Sequence, residues 1–268
     1  MNPNKATGPD NIAPRVLKAC AEHLAYIFGI IFNSCFSTNT VPTTWKTACI
    51  VPIPKRPVIS SINDLRPVAL TSAVMKVCER VVLCKLEKLV KDYIDPLQFA
   101  YRKNRSTDDA VLYSLENIYS HLEKTGSTVR LMFFDFSNVF NTIQPHLLVQ
   151  KLLNIKLPSS IISWIFDYLT TRLQYVRLNG LLSSAISTNT GAPQGTVLAP
   201  FLFALYTADC RSTDESCPVV KFADDTELVG KISNDEDAIY HKQIKNFVNW
   251  FETTYLYLNA SKNKRDMY

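Results

Sequence analysis

Two aspartates, Asp224 and Asp225, stand side by side between the apolar arms Val219-Val220-Lys221-Phe222 and Leu228-Val229. Val, Phe and Leu favour strands, so the stretch predicts a hairpin with the acid pair at its turn. Taken alone, the pair fits a solvated turn equally well, because Asp is a common turn residue. A third acid changes the balance. Asp135 closes the apolar run Val129-Arg130-Leu131-Met132-Phe133-Phe134. If that run is a buried strand, Asp135 lies at its end, where a side chain can meet the hairpin tip. Carboxylates crowded at one end of a sheet repel one another unless a cation joins them. Hard oxygen ligands in that number suit Mg²⁺.

Several elements must position these acids. Val16-Leu17, Cys20, Leu24, Ile27-Phe28 and Ile31-Phe32 recur at helical spacing behind the turn cluster Thr7-Gly8-Pro9-Asp10-Asn11, with Pro14 suited to the first helical turn. The apolar run from Leu24 to Phe32 is far shorter than the ~20 residues that cross a bilayer, and it reads as a buried helix. Ala48 to Lys55 predicts a strand bounded by prolines, hence a sheet edge. A helix is expected from about Ser72 to Lys91. Gln98-Phe99-Ala100-Tyr101-Arg102 opens a basic, partly aromatic loop that feeds a helix capped near Ser106 or Thr107. Asp108 and Asp109 there read as helix-capping acids.

Phe136 to Ile143 predicts a tight turn into a helix, and Ser159 to Thr171 a further helix. Gln174 to Leu178 predicts a strand with Asn179-Gly180 as a hairpin turn. Gly191-Ala192-Pro193-Gln194-Gly195 holds a polar side chain in a loop before an apolar helix. It lacks the lysine of a phosphate-binding loop and the spacing of a dinucleotide fingerprint. Phe247, Trp250-Phe251 and Leu256 mark a final amphipathic helix.

The 268 residues are 47% hydrophobic and 20% charged, an ordinary globular composition for one or two domains. Seven cysteines form no CxxC pair, and the odd, irregular set excludes a disulfide framework and a zinc site from the reading. A reducing compartment follows. The polar start Met1-Asn2-Pro3-Asn4-Lys5 is not a signal peptide. The chain is therefore expected to be intracellular, nuclear or cytoplasmic, with no membrane partner. The net charge of +5 is uneven: up to residue 134 there are 17 Lys+Arg against 11 Asp+Glu, and from 135 onward 12 against 13. A basic first half suits a polyanion, and equally a solvated surface.

In order along the chain, FFDFSNVFNTI, GAPQGTVLAPFLF and KFADD resemble three successive motifs of reverse transcriptases. The upstream LRPVALTSAVMKVCERVV and QFAYRKNRSTDDAV, with the opening TGPDNIAPRVL, resemble the polymerases of non-LTR (LINE-type, jockey-like) retrotransposons. The resemblance covers essentially the whole chain. It implies an α+β right-hand polymerase fold of fingers and palm, with an antiparallel palm sheet packed on helices. Fingers are expected at about 1–126 and 146–192, and palm at about 127–145 and 193–268. The thumb, an upstream endonuclease and a Cys-rich tail are expected to be missing, as in a truncated copy.

The implied activity is RNA-directed DNA synthesis, by two-metal transfer of dNTPs onto a primer 3′-OH. The implied partners are an RNA template and a DNA primer. By the same resemblance Asp135, Asp224 and Asp225 are catalytic. Asp135, Asp224, Asp225 and the main-chain carbonyl of Phe136 would hold two Mg²⁺ ions, or Mn²⁺ in their place. Two such ions about 3.5–4 Å apart clamp both ends of an in-line displacement. Phe140 resembles the steric gate below the sugar 2′-position. Gln194 and Gly195 match residues lining the incoming nucleotide. Lys55 and Arg66 match those holding its triphosphate, and Lys262 falls near the lysine that protonates pyrophosphate.

Without the motifs, Phe136 and Phe140 read as core packing, and Lys55 and Lys262 as solvated surface. Val139 stands where a small Ala is usual, Asn141 where many relatives have Asp, and KNKRDM departs from the usual KTKE. Two alternatives stay open: a catalytically inactive remnant that only binds nucleic acid, and an RNA-directed RNA polymerase, against which Phe140 argues.

Overall fold

The computed structural model describes residues 2–137, 139–258 and 264–267. Pro14 opens α1 (Pro14–Ala19) at a position where a missing N–H leaves no bond unmade. After a break at Cys20 come α2 (Ala21–Ser37) and α3 (Thr43–Lys46), which leads into β1 (Ala48–Pro54). β2 (Leu65–Thr71) precedes α4 (Ala73–Leu89), capped by Ser72, whose hydroxyl accepts from Met75 N at 3.2 Å. α5 (Thr107–Leu122) opens on a reciprocal cap between Ser106 and Asp109.

β3 (Ser127–Phe134), β4 (Phe136–Ser137), α6 (Val139–Thr142), α7 (Pro145–Asn154) and α8 (Ser159–Leu169) follow. β5 (Arg172–Leu178) and β6 (Leu181–Leu182) flank Asn179-Gly180, whose φ angles of 50° and 82° are those a tight hairpin turn requires. Next are β7 (Ile186–Thr188), α9 (Ala199–Tyr206), β8 (Val219–Phe222) and β9 (Asp225–Ser233). α10 (Ala238–Thr253), β10 (Tyr257–Leu258) and β11 (Lys264–Met267) close the chain. Helices and mainly antiparallel sheets make this an α+β fold, as expected. Among the described residues no helix is long and apolar enough to cross a membrane.

The chain divides into two compact units: Met1–Lys91 with Gln144–Ala199, and Asp92–Ile143 with Pro200–Tyr268. Residues 92–126 group with the acid-bearing sheet because α5 packs on it.

In the first unit the strand order is β2-β1-β5-β6, with β7 also on β5. β1 is not the edge strand its prolines predict. It runs antiparallel to β2 along its whole length and pairs in parallel with β5 over Ala48–Ile50. Pro52 and Pro54 lie beyond that three-residue stretch, where their missing N–H groups break no second ladder. α2 is likewise not the buried helix expected: only Phe32 and Cys35 are buried, while Tyr26 and Ile30 are 77% and 55% exposed. α8 supplies the packed centre instead. Trp164 and Tyr168 stack at 5.5 Å, and Asp167 accepts from Lys46 Nζ at 3.1 Å and from Val41 N at 2.7 Å.

In the second unit the strand order is β11-β3-β9-β8, and β4 pairs with β10. Alternation along β3 sends side chains to opposite faces. Val129, Leu131 and Val229 form a buried cluster against Ile118 of α5. Phe134 packs on Phe247 and Phe251 of α10, 6.0 and 5.6 Å away. Gly230 lies under the buried ring of Tyr240, where a Cβ would come within 2.3 Å of Cδ2. The two residues predicted as a turn after Asp135 instead form β4, because Phe136 and Ser137 find partners in Leu258 and Tyr257.

Candidate active site

The three acids come from one end of the second unit's sheet. β3 and β9 are antiparallel, with Phe134 opposite Thr226, so Asp135 steps off β3 beside the start of β9. β8 and β9 close on the pair Phe222 and Asp225, leaving Ala223 and Asp224 as the tip of the hairpin. Asp135 and Asp224 are half-buried and Asp225 is exposed. Hard carboxylate oxygens at a shared, partly wet sheet end are the donor type a divalent cation takes. Among the described residues, however, no three or more His, Cys, Asp or Glu side chains are grouped to hold a metal. The register brings the acids to one end without drawing them into a closed cage.

The tip is braced from the segment before α5. Ala223 has φ +59°, the left-handed region that costs a residue with a Cβ. Gln98, 1% exposed, holds that peptide from both sides. Its Oε1 accepts from Ala223 N at 3.0 Å, and its Nε2 donates to Ala223 O at 3.1 Å. Oε1 also accepts from Ala100 N at 3.1 Å, which fixes the amide in its own loop. Around it the backbones pair: Lys221 N donates to Leu97 O, and Phe99 N donates to Lys221 O, both at 2.8 Å.

Lys221 turns inward from the hairpin. Its ammonium is 2.6 Å from Asp95 Oδ2 and donates to the carbonyls of Thr207 and Cys210 at 2.9 and 2.7 Å. Three donors thus meet three acceptors, the condition under which a buried lysine is tolerated. Tyr101 stands near the acids. Burial, then the charges of Asp224 and Asp225, push its phenol up to about 12.

Phe136 and Phe140 follow Asp135 in the same unit. Phe136 is buried, its ring edge-on to Phe251 at 4.8 Å. Phe140 is half-buried on α6 and lies 5.5 Å from Phe203. Both therefore make core contacts in addition to any role beside the acids.

The remaining predicted residues lie in the first unit. β1 and β2 set Ile53 opposite Arg66 and Pro54 opposite Leu65, so Lys55 and Arg66 project from the same end of that ribbon. Lys55 N donates to Asp64 O at 2.8 Å. Asp64, itself buried, caps the preceding turn, and hydrogen bonds from Ser60 hold its carboxyl well below the usual range. The loop after Gly191 rests on β2, where Ala69 N donates to Gln194 O at 3.1 Å. Gly195, at φ +102°, passes Ala69 O so closely that a Cβ would sit 3.2 Å away. Lys262 lies outside the described residues.

Two buried polar residues support these elements and carry no local sequence signal. Gln98 is one. Glu79, fully buried on α4, is the other: its Oε2 accepts from Val197 N at 2.5 Å and Leu198 N at 3.1 Å. It thereby satisfies two N–H groups just before α9 and fixes the far side of the Gln194 loop. Burial pushes the Glu79 carboxyl up, and those two hydrogen bonds oppose the shift.

A family profile described as "Reverse transcriptase (RNA-dependent DNA polymerase)" matches residues 53–266. The chain is 26% identical to the RNA-directed DNA polymerase from mobile element jockey of Drosophila melanogaster, over 96% of this chain and 29% of that protein. It is 27% identical to the probable RNA-directed DNA polymerase from transposon X-element of the same fly, over 97% of this chain and 29% of the relative. A retrovirus-related Pol polyprotein from the type-1 element R2 of Popillia japonica is 24% identical over 83% of this chain. The chain thus spans less than a third of the length of the first two relatives. Among solved structures, apo telomerase from Candida tropicalis truncated from its C-terminal domain shares the fold: TM-score 0.61 at 14% identity, covering 85% of this chain and 51% of that one. Telomerase from Candida albicans with a fragment of telomeric RNA gives 0.56 at 14% identity, covering 90% and 46%.

Proposed function

The chain belongs to the reverse transcriptase family, and from that premise we propose that it is the RNA-directed DNA polymerase core of a non-LTR retrotransposon, acting inside the cell in the nucleus or cytoplasm. Asp135 and Asp224 hold divalent ions, Mg²⁺ or Mn²⁺, with Asp225 and the Phe136 carbonyl in support. Such ions, when bound, supply an acidified primer 3′-hydroxyl and compensation for the charge on pyrophosphate. The chain's own residues orient the dNTP. Arg66 offers a bidentate fork to phosphate oxygens, and Lys55 a point charge. Gln194 and Gly195 line the nucleotide, Phe140 excludes the ribose 2′-OH, and Lys262 gives a proton to the leaving pyrophosphate.

The excess of basic residues before Asp135 holds template phosphates, a contact blind to sequence and sensitive to salt. Fingers at about 1–126 and 146–192, with palm at about 127–145 and 193–268, are part of the same proposal.

The observation that carries the reading is the β3–β9 register, which sets Asp135 beside the β8–β9 tip. The test is primer extension on an RNA template with dNTPs and Mg²⁺. Incorporation is expected to stop on chelation. Asp224→Asn is expected to lower it by more than the ~10–100-fold typical of outer-shell changes, while salt-sensitive RNA binding persists. RNA binding without incorporation by the unaltered chain, even when a downstream segment is supplied, overturns the polymerase reading in favour of the nucleic-acid-binding remnant.

A further inference from the structure

We propose that Gln98 is a positioning residue for the Asp224-Asp225 turn, holding the Ala223 peptide so that the acids meet a divalent cation. The inference rests on the reading that these acids bind such an ion. Ala223 is the residue immediately before the pair, and it sits in the left-handed region at φ +59°. A residue with a Cβ is held there only where its surroundings over-determine it. The β8–β9 hairpin closes on either side of it, and one side chain reaches both of its backbone groups. Gln98 takes both the N–H and the C=O of Ala223, at 3.0 and 3.1 Å, as a neighbouring strand would.

The primary amide is the group this task needs. It is neutral, so it adds no charge beside the acids, and it offers a donor and an acceptor together. The third bond, from Ala100 N at 3.1 Å, and 1% exposure lock its own rotamer. The flanking pairings of Lys221 with Leu97 and Phe99 anchor both backbones, so removing the amide frees the tip without dismantling the segment.

Mn²⁺ binding, followed by electron paramagnetic resonance, and amide hydrogen exchange at Ala223 test this in the full chain. Gln98→Leu is expected to weaken Asp224-dependent Mn²⁺ binding about ten-fold, the scale set by supporting groups around a metal site. It is also expected to speed exchange at Ala223. Gln98→Glu keeps the acceptor and loses the donor, so a smaller exchange increase is expected; it also serves if the leucine variant does not fold. Mn²⁺ binding that depends on Asp224 but is unchanged in both Gln98 variants overturns the assignment of Gln98 alone. Mn²⁺ binding by the unaltered chain that Asp224→Asn does not weaken overturns the metal reading of the acids, and this inference with it.

Discussion

Lys221 Nζ lies 2.6 Å from Asp95 Oδ2, and the two side chains are only 3% and 4% exposed. The pair ties the hairpin that carries Asp224 and Asp225 to the segment that carries Gln98. Removing one partner of such a pair strands the other charge. Lys221→Met is expected to destabilise the protein by about 3–5 kcal/mol, read from urea unfolding. The double variant Lys221→Met, Asp95→Leu should recover much of that loss, since an apolar replacement of both groups leaves no charge unpaired. A double variant as unstable as the single one would mean that the lysine's bonds to Thr207 and Cys210 matter more than the ion pair.

Glu79 holds Val197 N and Leu198 N with one oxygen. Glu79→Ala leaves two buried N–H groups without that acceptor, each worth about 1–3 kcal/mol. Glu79→Gln keeps an acceptor for them, so a much smaller effect is expected. Hydrogen exchange at Val197 and Leu198 distinguishes the two, rising in the alanine variant only.

Glu227 on β9 is half-buried, and Ser114 Oγ donates to its Oε2 at 2.6 Å. Burial raises its carboxyl above the ordinary range, and the serine bond partly opposes this. A raised folded value means that the folded state takes up the proton first. The associated stability is complete below the ordinary value near 4.3 and is lost as pH rises through the folded value. Glu227→Gln is therefore expected to unfold at a higher temperature than the unaltered chain at pH 7, and to lose that advantage below about pH 4. A constant difference across this range would contradict the assignment of burial as the cause.

Phe140, packed 5.5 Å from Phe203, is the residue proposed to exclude the 2′-hydroxyl. Phe140→Ala should narrow the preference for dNTP over rNTP by about ten-fold or more, the scale on which pocket bulk discriminates. The measure is the ratio of kcat/KM values for one base in its two sugar forms. If the unaltered chain already prefers rNTPs, an RNA-directed RNA polymerase is the better description.

The elements that carry the acids were legible because their signals are local. An apolar run ending in Asp135, a hairpin pattern around Asp224-Asp225, and the Ser106–Asp109 cap each declare themselves within a few residues. Gln98 and Glu79 were not legible. Their partners lie 125 and 118 residues away and are backbone groups, which leave no side-chain trace in a sequence. The β1 edge expectation failed because proline forbids a ladder bond only at its own N–H, and the pairing with β5 ends before Pro52. The α2 expectation failed because hydrophobic residues inside is a one-way rule: Tyr26 and Ile30 show that apolar side chains also face outward.

The backbone pairing of Lys221 with Leu97 and Phe99 has a further effect. β8 would otherwise end the sheet with open N–H and C=O groups, and at the opposite margin β11 lies along β3. On the β8 side Leu97 and Phe99 take up the outward N–H and C=O of Lys221, so a second molecule finds less template for strand addition along that margin.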